Sequence, residues 1–146
     1  MAIIDRNKKL IADNDPRVFL GIDFPVRKSE GIEGYFASSS TTLDALKTDL
    51  ICLLSTKQGE RIFQPNLGLD LDKYLFEQIT EESKNNIIES ITSTINFYLP
   101  SINMLNLDIL QSDISEVGTH TLKVVGKFSF ANDSNLFDTF EIVVGA

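Results

Sequence analysis

The sequence predicts an α+β fold: an N-terminal arm, three helices centred near residues 48, 74 and 90, and a three-stranded antiparallel sheet at the C-terminus. Three observations lead there. Apolar residues recur at spacings of three and four between Leu43 and Tyr98, the period switches to alternation after Pro100, and no period survives before residue 41. The chain has 146 residues, enough for one domain with a sizeable core, so the expected division is an arm over 1–40 and a folded body over 41–146.

In the arm, Pro16, Pro25, Gly21, Gly31 and Gly34 interrupt any pattern and leave short extended pieces. Thr41 and Asp44 stand three apart, as in a capping box with Asp in place of Glu, and should open the first helix. Leu43, Leu46, Leu50, Leu53 and Leu54 then share one face until about Ser55. Gly59, Pro65 and Gly68 make Lys57 to Leu69 an ordered loop, with a short extended piece expected around Arg61 to Phe63. Asp70 can cap a short second helix with Leu71, Tyr74 and Leu75 on one face. Thr80 can cap a third, from 81 to 98, in which Glu81 and Glu82 suit the positive N-terminal end and Ile87, Ile88, Ile91, Ile95 and Tyr98 keep helical spacing.

Beyond Pro100, Leu105, Leu107 and Ile109 are expected on one face of a first strand, and Leu122, Val124, Phe128 and Phe130 on one face of a second. Thr121, Lys123, Lys127 and Ser129 oppose the latter group, as in a sheet with one buried face. Ala131 to Asn135 is turn chemistry, and Leu136 to Val144 reads as the third strand.

Composition excludes several functions. The formal net charge is -8, and no basic stripe offers itself to nucleic acid or an acidic membrane. The acids of residues 1–40 (Asp5, Asp13, Asp15, Asp23, Glu30, Glu33) are balanced by Arg6, Lys8, Lys9, Arg17, Arg27 and Lys28, so the negative charge belongs to the body. No stretch has the length of a membrane span, and Met1 to Leu10 lacks a signal-peptide core, so a soluble protein made in the cytoplasm is expected. Cys52, the only cysteine, reads as a buried thiol, and His120, the only histidine, has no second imidazole with which to build a zinc site. No phosphate-binding, dinucleotide or metalloprotease motif is present, and no cofactor or metal is expected.

The stretch from Leu54 to Glu77, LLSTKQGERIFQPNLGLDLDKYLFE with its preceding Leu53, carries the densest signal. Thr56, Lys57, Gly59, Glu60, Arg61, Pro65, Gly68, Leu75, Phe76 and Glu77 follow one another in the order found in the baseplate wedge family named for gene product W and gene product 25 of tailed phages, which the chain resembles from Phe24-Pro25 to its first long strand. Asn66 and Leu67 stand where Glu or Asp and Phe are usual. Taken singly, Gly59 and Gly68 are no more than turn glycines. Arg61 can either tie the loop to a carboxylate such as Glu77 or face a partner.

The resemblance implies a structural subunit of a contractile tail, in the baseplate of a virion or of a bacterial contractile injection system. Its implied partners are other baseplate wedge proteins and the tail sheath subunit, with tube or hub proteins as further candidates, and sixfold tail symmetry implies six copies. Its implied role is to join the baseplate to the sheath and to template the first sheath ring as a sheath initiator. An extended segment added to a free strand edge would supply the contact. Leu136, Asp138, Phe140, Ile142 and Val144 of the third strand are the expected pairing edge. The family often has Glu-Pro-Arg after its long helix, a wedge contact; here Leu99-Pro100-Ser101 keeps the helix stop without the charges, which suggests a more apolar contact. The alternative is a lysozyme-like glycoside hydrolase, which needs two spaced carboxylates. Glu60, Asp70, Asp72 and Glu77 are available, but among 21 acids some pair is expected by composition alone, and no catalytic residue is assigned.

Overall fold

The computed structural model describes residues 19–29, 35–75, 77, 80–114 and 119–145, with the backbone alone at 111–114 and 119–120. The chain divides into two compact units, 1–49 and 50–146.

Within the first unit, strands β1 (Gly21–Ile22) and β2 (Ser38–Ser39) pair antiparallel, Gly21 opposite Ser39 and Ile22 opposite Ser38. The ribbon continues through hydrogen bonds from Asp23 N to Ala37 O at 2.9 Å and from Ala37 N to Arg27 O at 3.0 Å, and through a bridge between Lys28 and Phe36. Arg27 reaches back to the Asp23 carboxylate at 2.5 Å, and the Phe24-Pro25 peptide is cis. Pairs this short carry no alternation, so the sequence discloses extended pieces but not their pairing.

Helix α1 spans Thr42–Ser55. Thr41 Oγ1 accepts from Asp44 N at 3.2 Å and donates to the Asp44 carboxylate at 2.5 Å. The expected box is therefore present in altered form, because the shorter Asp side chain meets the hydroxyl instead of the backbone amide. Helix α2 covers Glu81–Tyr98, with Thr80 Oγ1 accepting from Ser83 N at 3.2 Å. Ile87, Ile91 and Ile95 are wholly buried, so packing overrides their modest helix propensity.

The expectation of three helices is wrong. Among the described residues between the two helices, one 3-10 turn forms, Asp72–Tyr74. Its hydrogen bonds run from Tyr74 N to Leu71 O and from Leu75 N to Asp72 O, both 3.1 Å and both three residues back. Leu71, not Asp70, occupies the position before it, without a side-chain cap. Leu71 and Leu75 are both buried, so one tight turn already delivers the apolar pair that spacing assigned to a helix. Among the described residues, two helices and five strands in two sheets replace the expected three helices and one sheet.

The C-terminal sheet is an antiparallel meander in the order β3 (Ile102–Ile114), β4 (Thr119–Phe130), β5 (Asp133–Gly145). Strand β5 begins at Asp133, so the expected turn of Ala131 to Asn135 contracts to Ala131 and Asn132. On the inner face Leu107, Gly126 and Phe140 align across the three strands, and Ile109, Val124 and Ile142 follow. The register shifts between Met104 and Asn106. Leu105, expected inside with Leu107 and Ile109, is instead 52% exposed. The extra residue reverses strand parity, which lets Ile102 on one side of the bulge and Ile109 on the other both be buried. On the outer face Lys123 pairs with Glu141 at 2.6 Å and the Lys127 ammonium lies 4.0 Å from the Phe137 ring centroid.

A Cβ on Gly126 would stand 2.4 Å from Cε1 of Phe140 and 3.0 Å from Cδ1 of Leu107. The ring of Phe140 thus fills the space a side chain at 126 would take. Helix α2 lies against β3, and the buried apolar residues run from Leu50 to Ile142, all in the second unit. Ile91→Ala is expected to lower unfolding free energy by about 2–5 kcal/mol in urea titrations. Phe97→Ala, at a position 78% exposed, should stay within about 0.5 kcal/mol of the parent.

Candidate functional site

The motif residues build a closed loop on the end of α1. Thr56 Oγ1 donates to Cys52 O at 2.6 Å, and its carbonyl accepts from Leu69 N at 2.9 Å. That return is possible because Gly68 adopts φ +101°, where a Cβ would sit 2.1 Å from Thr56 O. Glycine is required there on two counts, conformation and space. Gly59, at φ +85°, has open space around it and donates from N to Pro65 O at 2.8 Å. Only its conformation demands glycine.

Glu60 works inside the loop. Its Oε2 accepts from Lys57 N at 3.2 Å while its own amide donates to Lys57 O at 3.2 Å. The Lys57 ammonium pairs with the Asp72 carboxylate, whose hydrogen bond and charge raise the Lys57 pKa above its ordinary value. The sign is that of a cation gaining a partner, so the contribution holds through neutral pH and fades only in strong alkali. Both ends of the pair are substantially exposed, so its worth is small and screened by salt. Tyr98 Oη donates to Asn66 O at 3.0 Å, tying the end of α2 to the loop.

Arg61 to Phe63 is not the extended piece expected. It forms bends and turns, with Gln64 N donating to Arg61 O at 3.2 Å. Arg61 is exposed, and among the described residues no ion pair joins it to Glu60 or Glu77. Ile62 and Phe63 are 90% and 97% exposed. Sequence reasoning missed this apolar tip; its signal is an apolar pair between Gly59 and Pro65 with no periodic neighbours. Leu75 is buried, and Phe76 lies outside the described residues.

The other expected sites fall elsewhere. Leu99-Pro100-Ser101 is the joint between α2 and β3: Leu99 N donates to Ile95 O at 2.7 Å, Ile102 N to Leu99 O at 3.0 Å and Ala131 N to Ser101 O at 2.9 Å. Pro100 and Ser101 are exposed. On β5, Leu136, Phe140 and Ile142 turn into the core, while Asp138 and Val144 are half-buried. Strand β5 is an edge, with β4 as its only neighbour among the described strands. Beside its C-terminal end lies a groove of about 520 Å³, bounded by Leu54, Leu69, Leu71, Leu75 and residues 142–145, with Ser55, Lys57 and Asp72 also lining it. Thus the motif loop and the β5 edge, far apart in sequence, share one groove.

Of the four carboxylates weighed for hydrolysis, Glu60 is held by the Lys57 amide and Asp72 by the Lys57 ammonium. Among the described residues no group of three or more His, Cys, Asp or Glu side chains could hold a metal ion, and no helix is long and apolar enough to cross a membrane.

Residues 40–132 match the model of a family described as baseplate wedge protein gp25. The chain is 28% identical over 102 residues to the baseplate wedge protein gp25 of Enterobacteria phage T4, covering 70% of this chain and 69% of that protein. Two solved structures share the fold. One is a cryo-EM structure of the anti-feeding prophage baseplate, sixfold symmetrised, with a TM-score of 0.54, 20% identity, and 84% and 81% of the two chains covered. The other is a crystal structure of a putative tail lysozyme from Geobacter sulfurreducens, with a TM-score of 0.53, 17% identity, and 70% and 86% covered.

The loop geometry predicts an order of sensitivities. Gly68→Ala should destabilise more than Gly59→Ala, whose cost is about 1–3 kcal/mol for a non-glycine residue held at positive φ. Gly59→Asn should recover part of the loss, since Asn tolerates that conformation. Chemical denaturation of the three variants checks the order.

Proposed function

The chain belongs to the gp25 family of baseplate wedge proteins, and from that premise we propose that it joins the baseplate to the tail sheath and starts the first sheath ring by accepting an extended sheath segment on β5. The single observation that carries this reading is the open β5 edge with a groove at its last four residues, 142–145. An edge strand presents unpaired N–H and C=O groups that template another strand. Strand β3 is the other edge of the sheet. Only Asp138 and Glu141 put charge on β5 after its first residue, weak protection for a strand left uncovered.

The chain acts as a structural subunit among other baseplate proteins, with the Leu99-Pro100-Ser101 joint, exposed at Pro100 and Ser101, as an uncharged wedge contact and six copies per baseplate following from sixfold tail symmetry. Tube or hub proteins are further candidate partners. It needs no cofactor. The putative tail lysozyme shares the fold at 17% identity, which carries no chemistry across. Purified protein is expected to release no peptidoglycan fragments, and Glu60→Gln and Glu77→Gln should change nothing in that assay.

Proline is the sharper probe of strand addition. Phe140 and Ile142 are core residues, so proline there would test folding as well. Val143→Pro and Val144→Pro, made separately, remove one ladder-facing and one outward-facing N–H, because these alternate along an antiparallel strand. The outward-facing substitution should stop sheath growth on baseplates that still contain the chain. Normal sheath growth on both kinds of baseplate would overturn the reading.

A further inference from the structure

We propose that the groove beside β5 is a side-chain pocket that sets the register of the added strand by receiving one large aliphatic or aromatic side chain of an uncharged sheath segment. The proposal rests on β5 being the edge that accepts the strand.

Backbone pairing alone does not fix register, because a strand can slide by two residues and recover every hydrogen bond with the same faces inward. Something beside the ladder must choose. The groove lies at the right place: residues 142–145 of β5 form one side, and Leu54, Leu69, Leu71 and Leu75 meet them. An occupant that satisfies both the apolar lining and the strand edge is an extended polypeptide, which carries ladder groups and a side chain together. The polar lining explains why that side chain should be uncharged. Lys57 and Asp72, the charged residues of the groove, already pair with one another. A charged intruder would have to break that pair or lose its hydration without compensation.

The test uses full-length chain assembled into baseplates with the sheath subunit of the same tail. Val144→Phe and Ser55→Trp fill the groove from a half-buried edge position and an exposed helix end, leaving the β5 backbone intact. Each should slow sheath addition roughly tenfold, the scale of losing one well-buried apolar side chain. Ser134→Trp, exposed at the far end of β5, should leave the rate unchanged. A photo-crosslinking phenylalanine analogue at position 55 should join the chain to one apolar sheath residue. If groove-filling variants assemble at the normal rate while the outward-facing proline blocks sheath, strand addition stands and the pocket is refuted. If the prolines are also without effect, both fail. Crosslinks to a second copy of the chain, to another wedge protein, or scattered along the sheath would likewise refute the pocket.

Discussion

The backbone hydrogen bond from Leu69 N to Thr56 O, closed over Gly68, is the constraint on which the second unit depends. It turns the chain back at the end of α1 and delivers Leu69, Leu71 and Leu75 to the core with Leu53 and Leu54. It also sets Lys57 within reach of Asp72 and places the loop beside the end of β5. A side chain at 68 would collide with a backbone carbonyl, which cannot move aside as a flexible side chain can. The loop's internal polar contacts, Glu60 on Lys57 and Gly59 on Pro65, then hold a segment with little regular structure in one shape.

What was legible in the sequence was what repeats. The three wholly buried isoleucines of α2 and the alternation of Leu122, Val124 and Phe128 in β4 each repeat one environment several times, so the period identifies the element. One turn's worth of pattern does not. Leu71, Tyr74 and Leu75 satisfy a 3-10 turn and a helix equally well, and a two-residue strand such as β1 has no period at all. Leu105 was misplaced for a related reason: alternation assumes an unbroken register, and a bulge is invisible until the partner strand is known. The candidate site was half legible. The motif residues mark the loop, but its neighbourhood with β5 comes from tertiary packing, and the exposed Ile62 and Phe63 break the expectation that apolar residues beside a motif serve the core.

The family's motif is thereby separated from its chemistry. Glu60, one of the four carboxylates weighed for hydrolysis, accepts from a backbone amide, and Lys57 pairs with the neighbouring Asp72 carboxylate. Arg61 alone among the motif's charged residues with a described setting between 57 and 72 is not engaged by the loop itself.

The contact between Phe140 and Gly126 bears on how such a sheet can associate without coming apart. The Phe140 ring of β5 rests over the one residue of β4 without a side chain, so β4 discriminates among possible neighbours. A foreign strand competing for β5's place would need an aromatic ring at that one position or leave a void there, and voids in a packed core are costly. A strand without that ring is therefore disfavoured in β5's place, whereas β5 of a second copy brings the same ring and is not turned away by this contact.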